Sequence, residues 1–236
     1  MDSVLIPGIA DTARIKVLQI TDTHLFKGKD ESLLGVNTWS GYQAVLDAVI
    51  AGQEQYDLII ATGDLSQDHS AEAYQHFAEG ILRLPAPCVW LPGNHDFQPA
   101  MYETLAKAGI SQSKRVLLGE RWQILLLDSQ VYGVPHGMLS EFQLEWLENA
   151  LATAAERDTV ILLHHHPVPS GCALLDQHNL GTAHQLDSTL QTNQLAAALL
   201  CGYILQEMDT LGQWRRVLAA ASTWVQFEPH CRGFAM

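Results

Sequence analysis

The chain has 236 residues, of which 47% are hydrophobic and 17% charged, a composition that predicts a packed core and excludes wholesale disorder. Thirteen Lys and Arg against 26 Asp and Glu leave a formal net charge of −13. That balance argues against a general nucleic-acid binder, because phosphate backbones reward basic faces, but leaves room for a small phosphorylated substrate held through metal ions.

No apolar run approaches the roughly 20 residues of a membrane span, and Met1 to Gly8 lacks the basic start of a secretory signal. The expectation is one domain over residues 1–236, in the cytoplasm, with no membrane or nucleic-acid partner and an open oligomeric state. The cysteines Cys88, Cys172, Cys201 and Cys231 are widely spaced without a CxxC pair, and buried free thiols are expected.

In chain order, Ile15 to Ile20 reads as a strand, and Tyr42, Val45, Leu46, Val49 and Ile50 repeat at helical spacing. Leu58 to Ala61 predicts a second strand. Ser70 predicts the cap of a helix with Tyr74, Phe77 and Ile81 on its apolar face. Cys88 to Leu91 predicts a third strand, followed by a helix around Met101 and Leu105. Trp122 to Leu127 barely alternates, as a strand buried on both faces does. Ser140 and Gln143 form a predicted capping box before a helix with Leu144, Leu147 and Leu151 on one side. Val160 to Leu163 and Leu199 to Gly202 predict two more strands, with Arg215 to Leu218 and Trp224 to Phe227 as a late pair. Pro167 to Asp187 reads as a long loop over a site. Strands alternating with helices imply a layered α/β domain.

Polar clusters follow four of these strands: Thr21-Asp22-Thr23-His24, Thr62-Gly63-Asp64, Pro92-Gly93-Asn94-His95-Asp96 and His164-His165-His166-Pro167. Open α/β sheets place ligands at the carboxyl ends of strands. Oxygen donors (Asp22, Asp64, Asn94) mixed with imidazoles (His24, His164) suit manganese, iron or zinc better than calcium. Two adjacent ions need a bridging carboxylate, and Asp64 lies between the two ligand groups. Gly63 and Gly93 are expected to allow sharp backbone turns. One or two of the three histidines are expected only to hydrogen-bond within the site.

The series resembles the calcineurin-like metallophosphoesterases, and within them the bacterial class III cyclic-AMP phosphodiesterases of enterobacterial type. The likeness is carried by the metal clusters and by LQITDTHLF, LLGVNTW, ATGDLSQDHS, WLPGNHDFQPAMY, LLLDSQVYGVPHG, LSEFQLEWL and LLHHHPVPSGC, from about Arg14 to Arg216. It implies a two-sheet α/β/β/α sandwich whose second sheet is incomplete if strands are missing at the end. It implies two divalent or trivalent ions, iron or manganese with zinc as an alternative. Asp22, His24 and bridging Asp64 would hold one ion, and Asp64, Asn94 and His164 the other. The resemblance makes Asp64 and His95 the catalytic pair and puts His24, Asp64, Asn94, His95 and His164 against the substrate phosphate. A hydroxide held between the metals would open 3′,5′-cyclic AMP to 5′-AMP, with His95 steadying the transition state or protonating the leaving 3′ oxygen.

The chain departs from that pattern near its end. Where the family has Gly-His-x-His, it reads Gly202-Tyr203-Ile204-Leu205, so each metal loses an imidazole unless Tyr203 ligates as a phenolate. Ala219 to Ser222 replaces a segment that usually holds Thr-Pro, Trp224 stands where a small residue is expected, and relatives continue for several dozen residues. The alternatives to a working enzyme are a catalytically dead homologue that binds metal or nucleotide, and a phosphodiesterase for another phosphoester.

Overall fold

The architecture was read from a computed structural model that describes residues 3–7, 9, 14–110, 112–154, 156–212, 215–228 and 230. Cys231 lies outside the described residues. In chain order the elements are β1 (Ser3–Ile6), β2 (Val17–Ile20), β3 (Ser32–Leu33), β4 (Val36–Asn37), α1 (Thr38–Ala51), β5 (Leu58–Ala61), α2 (Ala71–Ile81), β6 (Cys88–Trp90) and α3 (Gln98–Lys107). They continue as β7 (Arg115–Leu118), β8 (Trp122–Leu126), α4 (Glu141–Ala152), β9 (Asp158–Leu163), α5 (Ala183–Gln191), β10 (Ala196–Cys201), β11 (Met208–Leu211) and β12 (Arg216–Ala219).

Two sheets stack face to face. A seven-stranded sheet runs β1-β7-β8-β9-β10-β12-β11, and a three-stranded parallel sheet runs β2-β5-β6. The layer between them is apolar: Leu58, Ile60, Val89 and Leu91 from the small sheet meet Val116, Leu118, Ile124, Leu126 and Leu162 from the large one. On the outside of the small sheet, Tyr42 and Leu46 of α1, Tyr74 and Phe77 of α2 and Met101 of α3 pack over Ile59 and Ala61. On the outside of the large sheet, Leu147 and Leu151 of α4 and Leu186 and Leu190 of α5 cover Ile161, Leu163 and Leu199. The order is therefore helix, sheet, sheet, helix. Strands buried on both faces read as continuous apolar runs, which is why β5 and β8 were legible without alternation.

Local rules account for several boundaries. Ser70 accepts the Ala73 N–H and starts α2, as its position predicts. Ser140 likewise caps α4 through the Gln143 N–H, but the capping box is only half made. The Gln143 side chain bonds both Asp128 backbone groups, tying α4 to the end of β8.

Three expectations are corrected. Trp224 to Phe227 is no strand: the Ser222 hydroxyl bonds both the Val225 N–H and its carbonyl, a local turn that competes with a ladder. The antiparallel partner of β12 is β11, joined to it across Asp209 and Arg216. Pro167 to Asp187 is not all loop, because Leu175–His178 forms a 3-10 turn and α5 begins at Ala183, anchored by Leu186 and Leu190. Cys172 is disulfide-bonded, whereas Cys88 and Cys201 are free and burial pushes each thiol up to about 12. Among the described residues no helix is long and apolar enough to cross a membrane.

Candidate metal centre

Five strand ends from the two sheets converge on one place. From the small sheet, β2 leads to Asp22 and His24, β5 to Asp64, and β6 to Asn94 and His95. From the large sheet, β9 leads to His164 and β10 to Gly202 through Leu205. Asp22, His24, Asp64 and His164 are buried. All six predicted side chains meet there.

Asp64 is the hub. Its Oδ2 lies 3.7 Å from His24 Nε2 and 3.4 Å from His164 Nε2, and its Oδ1 accepts the His95 N–H at 2.8 Å. His24 Nε2 is also 3.8 Å from Asp22 Oδ1, and His164 Nε2 is 3.2 Å from Asn94 Oδ1. Donor atoms of His24, Asp64 and His95 form one cluster and those of Asp22, Asp64 and His164 a second, each within 4.8 Å, with Asp64 shared. Carboxylates and imidazoles with one shared carboxylate are the donors that a pair of divalent ions takes.

The second ring nitrogens fix which atom faces inward. His164 Nδ1 donates to the Thr62 carbonyl at 2.7 Å, so Nε2 is the atom that faces Asp64 and Asn94 and the one whose lone pair is free for a ligand once its proton is lost. His24 Nδ1 donates to Gln67 Oε1 at 2.8 Å, with the same result. The other two histidines turn away. His165 bonds Ser129 Oγ at 2.8 Å and the Pro135 carbonyl at 3.1 Å, and His166 bonds Asp176 at 3.1 Å.

The electrostatics follow the same geometry. Burial works against a charge on His164, but the Asp64 carboxylate beside it raises the imidazole to about 9. For His24, burial is likewise outweighed by bonding to Asp22 and the charge of Asp64. Burial would raise Asp64, yet the imidazoles of His164, His24 and His95 hold it well below the usual carboxylate range. Burial lowers His95, leaving its ring neutral near pH 7.

The glycines act by two routes. Gly63 has φ +95° and makes the expected turn. Gly93 is needed for close approach instead, since a Cβ there would overlap Asp64 Oδ1.

The divergent segment stays in the centre. The Tyr203 N–H donates to Asp22 Oδ2 at 3.2 Å, and its ring packs on His164, His165 and His166 with centroids at 5.6, 5.3 and 5.7 Å. Burial and the carboxylates of Asp64 and Asp22 raise its phenol above the ordinary range, the opposite of what a phenolate ligand needs. Leu205 is buried and brings no donor atom. Trp224 lies edge-on against His24 at 5.5 Å, so the unexpected large residue forms one wall of the site.

Sequence reasoning assigned no role to Asp96. Its carboxylate is buried and accepts N–H groups from Leu65 (3.0 Å), Ser66 (3.1 Å) and Gly93 (2.9 Å) and the Tyr74 hydroxyl (3.2 Å). It thereby staples the Asp64 turn to the Asn94-His95 turn. Gln67, Thr62 and Gln130 were also missed. Only Asp96 had a sequence cue, its place directly after Asn94-His95.

Residues 15–202 match the calcineurin-like phosphoesterase family. The chain is 63% identical over all 236 residues to a protein of Escherichia coli K12 named 3′,5′-cyclic adenosine monophosphate phosphodiesterase CpdA, covering 86% of that relative. It is 47% identical over 222 residues to the protein of the same name from Vibrio vulnificus, covering 94% of this chain and 81% of the relative. A dimetal phosphatase from Danio rerio shares the fold at 12% identity, with a TM-score of 0.67 over 92% of this chain and 90% of that one. The chain belongs to the calcineurin-like phosphoesterase family.

Proposed function

We propose that this chain hydrolyses 3′,5′-cyclic AMP to 5′-AMP at a centre of two metal ions. What carries the reading is the gathering of Asp22, His24, Asp64, Asn94, His95 and His164 around one shared carboxylate, in a chain 63% identical to a cyclic-AMP phosphodiesterase. Asp22, His24 and Asp64 are proposed to hold one ion, and Asp64, Asn94 and His164 the other. Mixed carboxylate and imidazole donors favour iron or manganese, with zinc as the alternative. Bound there, the ions would supply Lewis acidity and lower the pKa of water to about 7.

The protein's own groups then have separable tasks. Gln67 and the Thr62 carbonyl hold His24 and His164 in the tautomer that presents Nε2. The neutral His95 ring lies at the mouth, half-buried, where its N–H can donate to a phosphate oxygen. Water would add to phosphorus and give up a proton, the bond to the 3′ oxygen would break, and that oxygen would take up a proton in exchange, leaving 5′-AMP with no net change in protons beyond those of the water. Trp224 and Tyr203 shield the inner side from bulk water.

Protein loaded with manganese should release 5′-AMP from cyclic AMP, and an Asp64→Ala variant should not. Turnover equal in the two proteins would sink the proposal. A second reading, a decayed homologue that keeps the pocket without the chemistry, is favoured by Tyr203 and Leu205. Under it, the native chain is inactive and Tyr203→His with Leu205→His switches activity on. A native chain already active, and unchanged by the double substitution, would dismiss it.

A further inference from the structure

Beside the metal centre lies a row of aromatic side chains that the chemistry above does not use. Phe97 is two residues past His95, so its backbone is at most about 7 Å farther along the chain. The Phe97 ring neighbours both His69, with centroids 6.2 Å apart and planes tilted by 34°, and Tyr132, at 6.5 Å and 55°. His69 in turn is two residues past Gln67, which holds His24. Tyr132 is 76% exposed, and Phe97 is half-buried. An exposed ring of that size at the rim of a polar site is more informative than scattered surface apolar residues.

The row is held in place. The Gln130 amide donates to the carbonyls of Gly93 (2.7 Å) and Asp96 (2.5 Å), which pins the segment carrying Tyr132 against the turn carrying His95. Gln98 donates to Asp128 (2.8 Å) and to Gln130 Oε1 (2.7 Å) and braces the same segment from α3. The Tyr74 hydroxyl accepts the Phe97 N–H at 2.8 Å and anchors the third side. These bonds tie the aromatic rim to the turn that carries Asn94 and His95.

We infer that His69, Phe97 and Tyr132 form the subsite that receives the purine base of the nucleotide by stacking. The inference rests on the cyclic-nucleotide reading, which puts the phosphate at His95 and leaves the base one nucleotide length away. A phosphate gripped by metals carries no information about the base. A rim of π faces supplies affinity for it, and because every base has a π face the subsite favours a base over none more than one purine over another.

The test separates base from phosphate. Manganese-loaded protein is titrated calorimetrically with 5′-AMP and with ribose 5-phosphate, which differ only in the base. Stacking is worth roughly 1–3 kcal/mol per base, so the native chain should bind 5′-AMP about 5- to 150-fold more tightly than ribose 5-phosphate. Phe97→Leu and Tyr132→Ala should each shrink that ratio, and the pair together should bring it near one, with ribose 5-phosphate affinity and manganese content retained. Phe97→Tyr should restore it, which a loss of packing alone would not allow. A native ratio near one, or variants that weaken both ligands equally, would overturn the inference. If cyclic AMP is not turned over while the ratio behaves as expected, the hydrolytic reading fails and the base subsite stands.

Discussion

Replacing Asp96 with alanine isolates the cost of holding together the turns that carry Asp64 and His95. The substitution leaves the backbone N–H groups of Leu65, Ser66 and Gly93 and the Tyr74 hydroxyl without their acceptor. An unsatisfied buried polar group costs about 1–3 kcal/mol, but water entering the space vacated by the carboxylate satisfies part of the set. Burial and the charge of Asp64 also push Asp96 above the ordinary carboxylate range, so removing it relieves some unfavourable desolvation. The net expectation is a loss of about 3–5 kcal/mol, a large share of the usual stability of a folded domain. For a chain of this size that is a fall in Tm of roughly 6–20 °C. Asp96→Asn should cost less, because one oxygen still serves Leu65 and Ser66 while its amide opposes the Gly93 N–H. The assay is urea and thermal unfolding of metal-free protein, so that ion binding does not mask the change, followed by manganese titration of each variant. An Asp96→Ala protein melting within about 2 °C of the native chain, with unchanged manganese affinity, would refute the reasoning.

Three further outcomes are expected. Against the effect of burial, the Asp64 carboxylate raises the His164 imidazole to about 9, so an ion taken by His164 would displace a proton; manganese affinity should fall steadily as pH drops from about 9 towards 7, and calorimetry in buffers of different ionisation heat should detect the released proton. Gly93→Ala drives a methyl group into Asp64; metal content and turnover should both collapse, with a stability loss of about 1–3 kcal/mol measured by urea unfolding. For Asp68, burial opposes ionisation but bonds from Ser70 and from the Lys27 and Ser70 N–H groups outweigh it, so its pKa is depressed. Its contribution is present above the unfolded value near 4 and lost as pH falls through the lower folded value; Asp68→Asn should cost about 1 kcal/mol at pH 7 and progressively less below pH 4.

The fold was legible where one physical rule acts alone. Leu58 to Ala61 is apolar because it is covered on both faces, and Ser70 caps α2 because the first N–H groups of any helix need an acceptor. It was illegible where distant partners decide. β1 and β7 pair with each other at the far edge of the large sheet, and neither is a continuous apolar run: both alternate in burial over only four residues. Trp224 to Phe227 has strand-like residues, yet a single serine hydroxyl claims its backbone. The ligand candidates were readable because each cluster directly follows a strand. The residues that orient them were not. Nothing near Thr62 or Gln67 indicates that its oxygen fixes a histidine tautomer, since the partner is 102 residues away in one case and 43 in the other.

The strain in the backbone bears on whether the centre has decayed. Asp22, His24 and Asp64 adopt left-handed φ values of 53°, 43° and 52°, a conformation costing about 1–3 kcal/mol for a non-glycine residue and tolerated where the surroundings over-determine it. Tyr203 and Leu205 share it at 61° and 50° although neither is a histidine. The turn is held without them: the Gly202 N–H reaches the His164 carbonyl at 3.0 Å, the Tyr203 N–H reaches Asp22, and the Leu205 carbonyl accepts the Phe227 N–H at 3.1 Å. A turn that had lost its purpose would be free to relax towards ordinary angles, and bulky Leu205 gives it reason to. Within this turn, then, the departure lies in the Tyr203 and Leu205 side chains, on a backbone that these bonds hold. Under the proposed reading, the difference between a working and a failed enzyme reduces to how firmly the five candidate ligands would retain two ions, a matter of affinity rather than of fold.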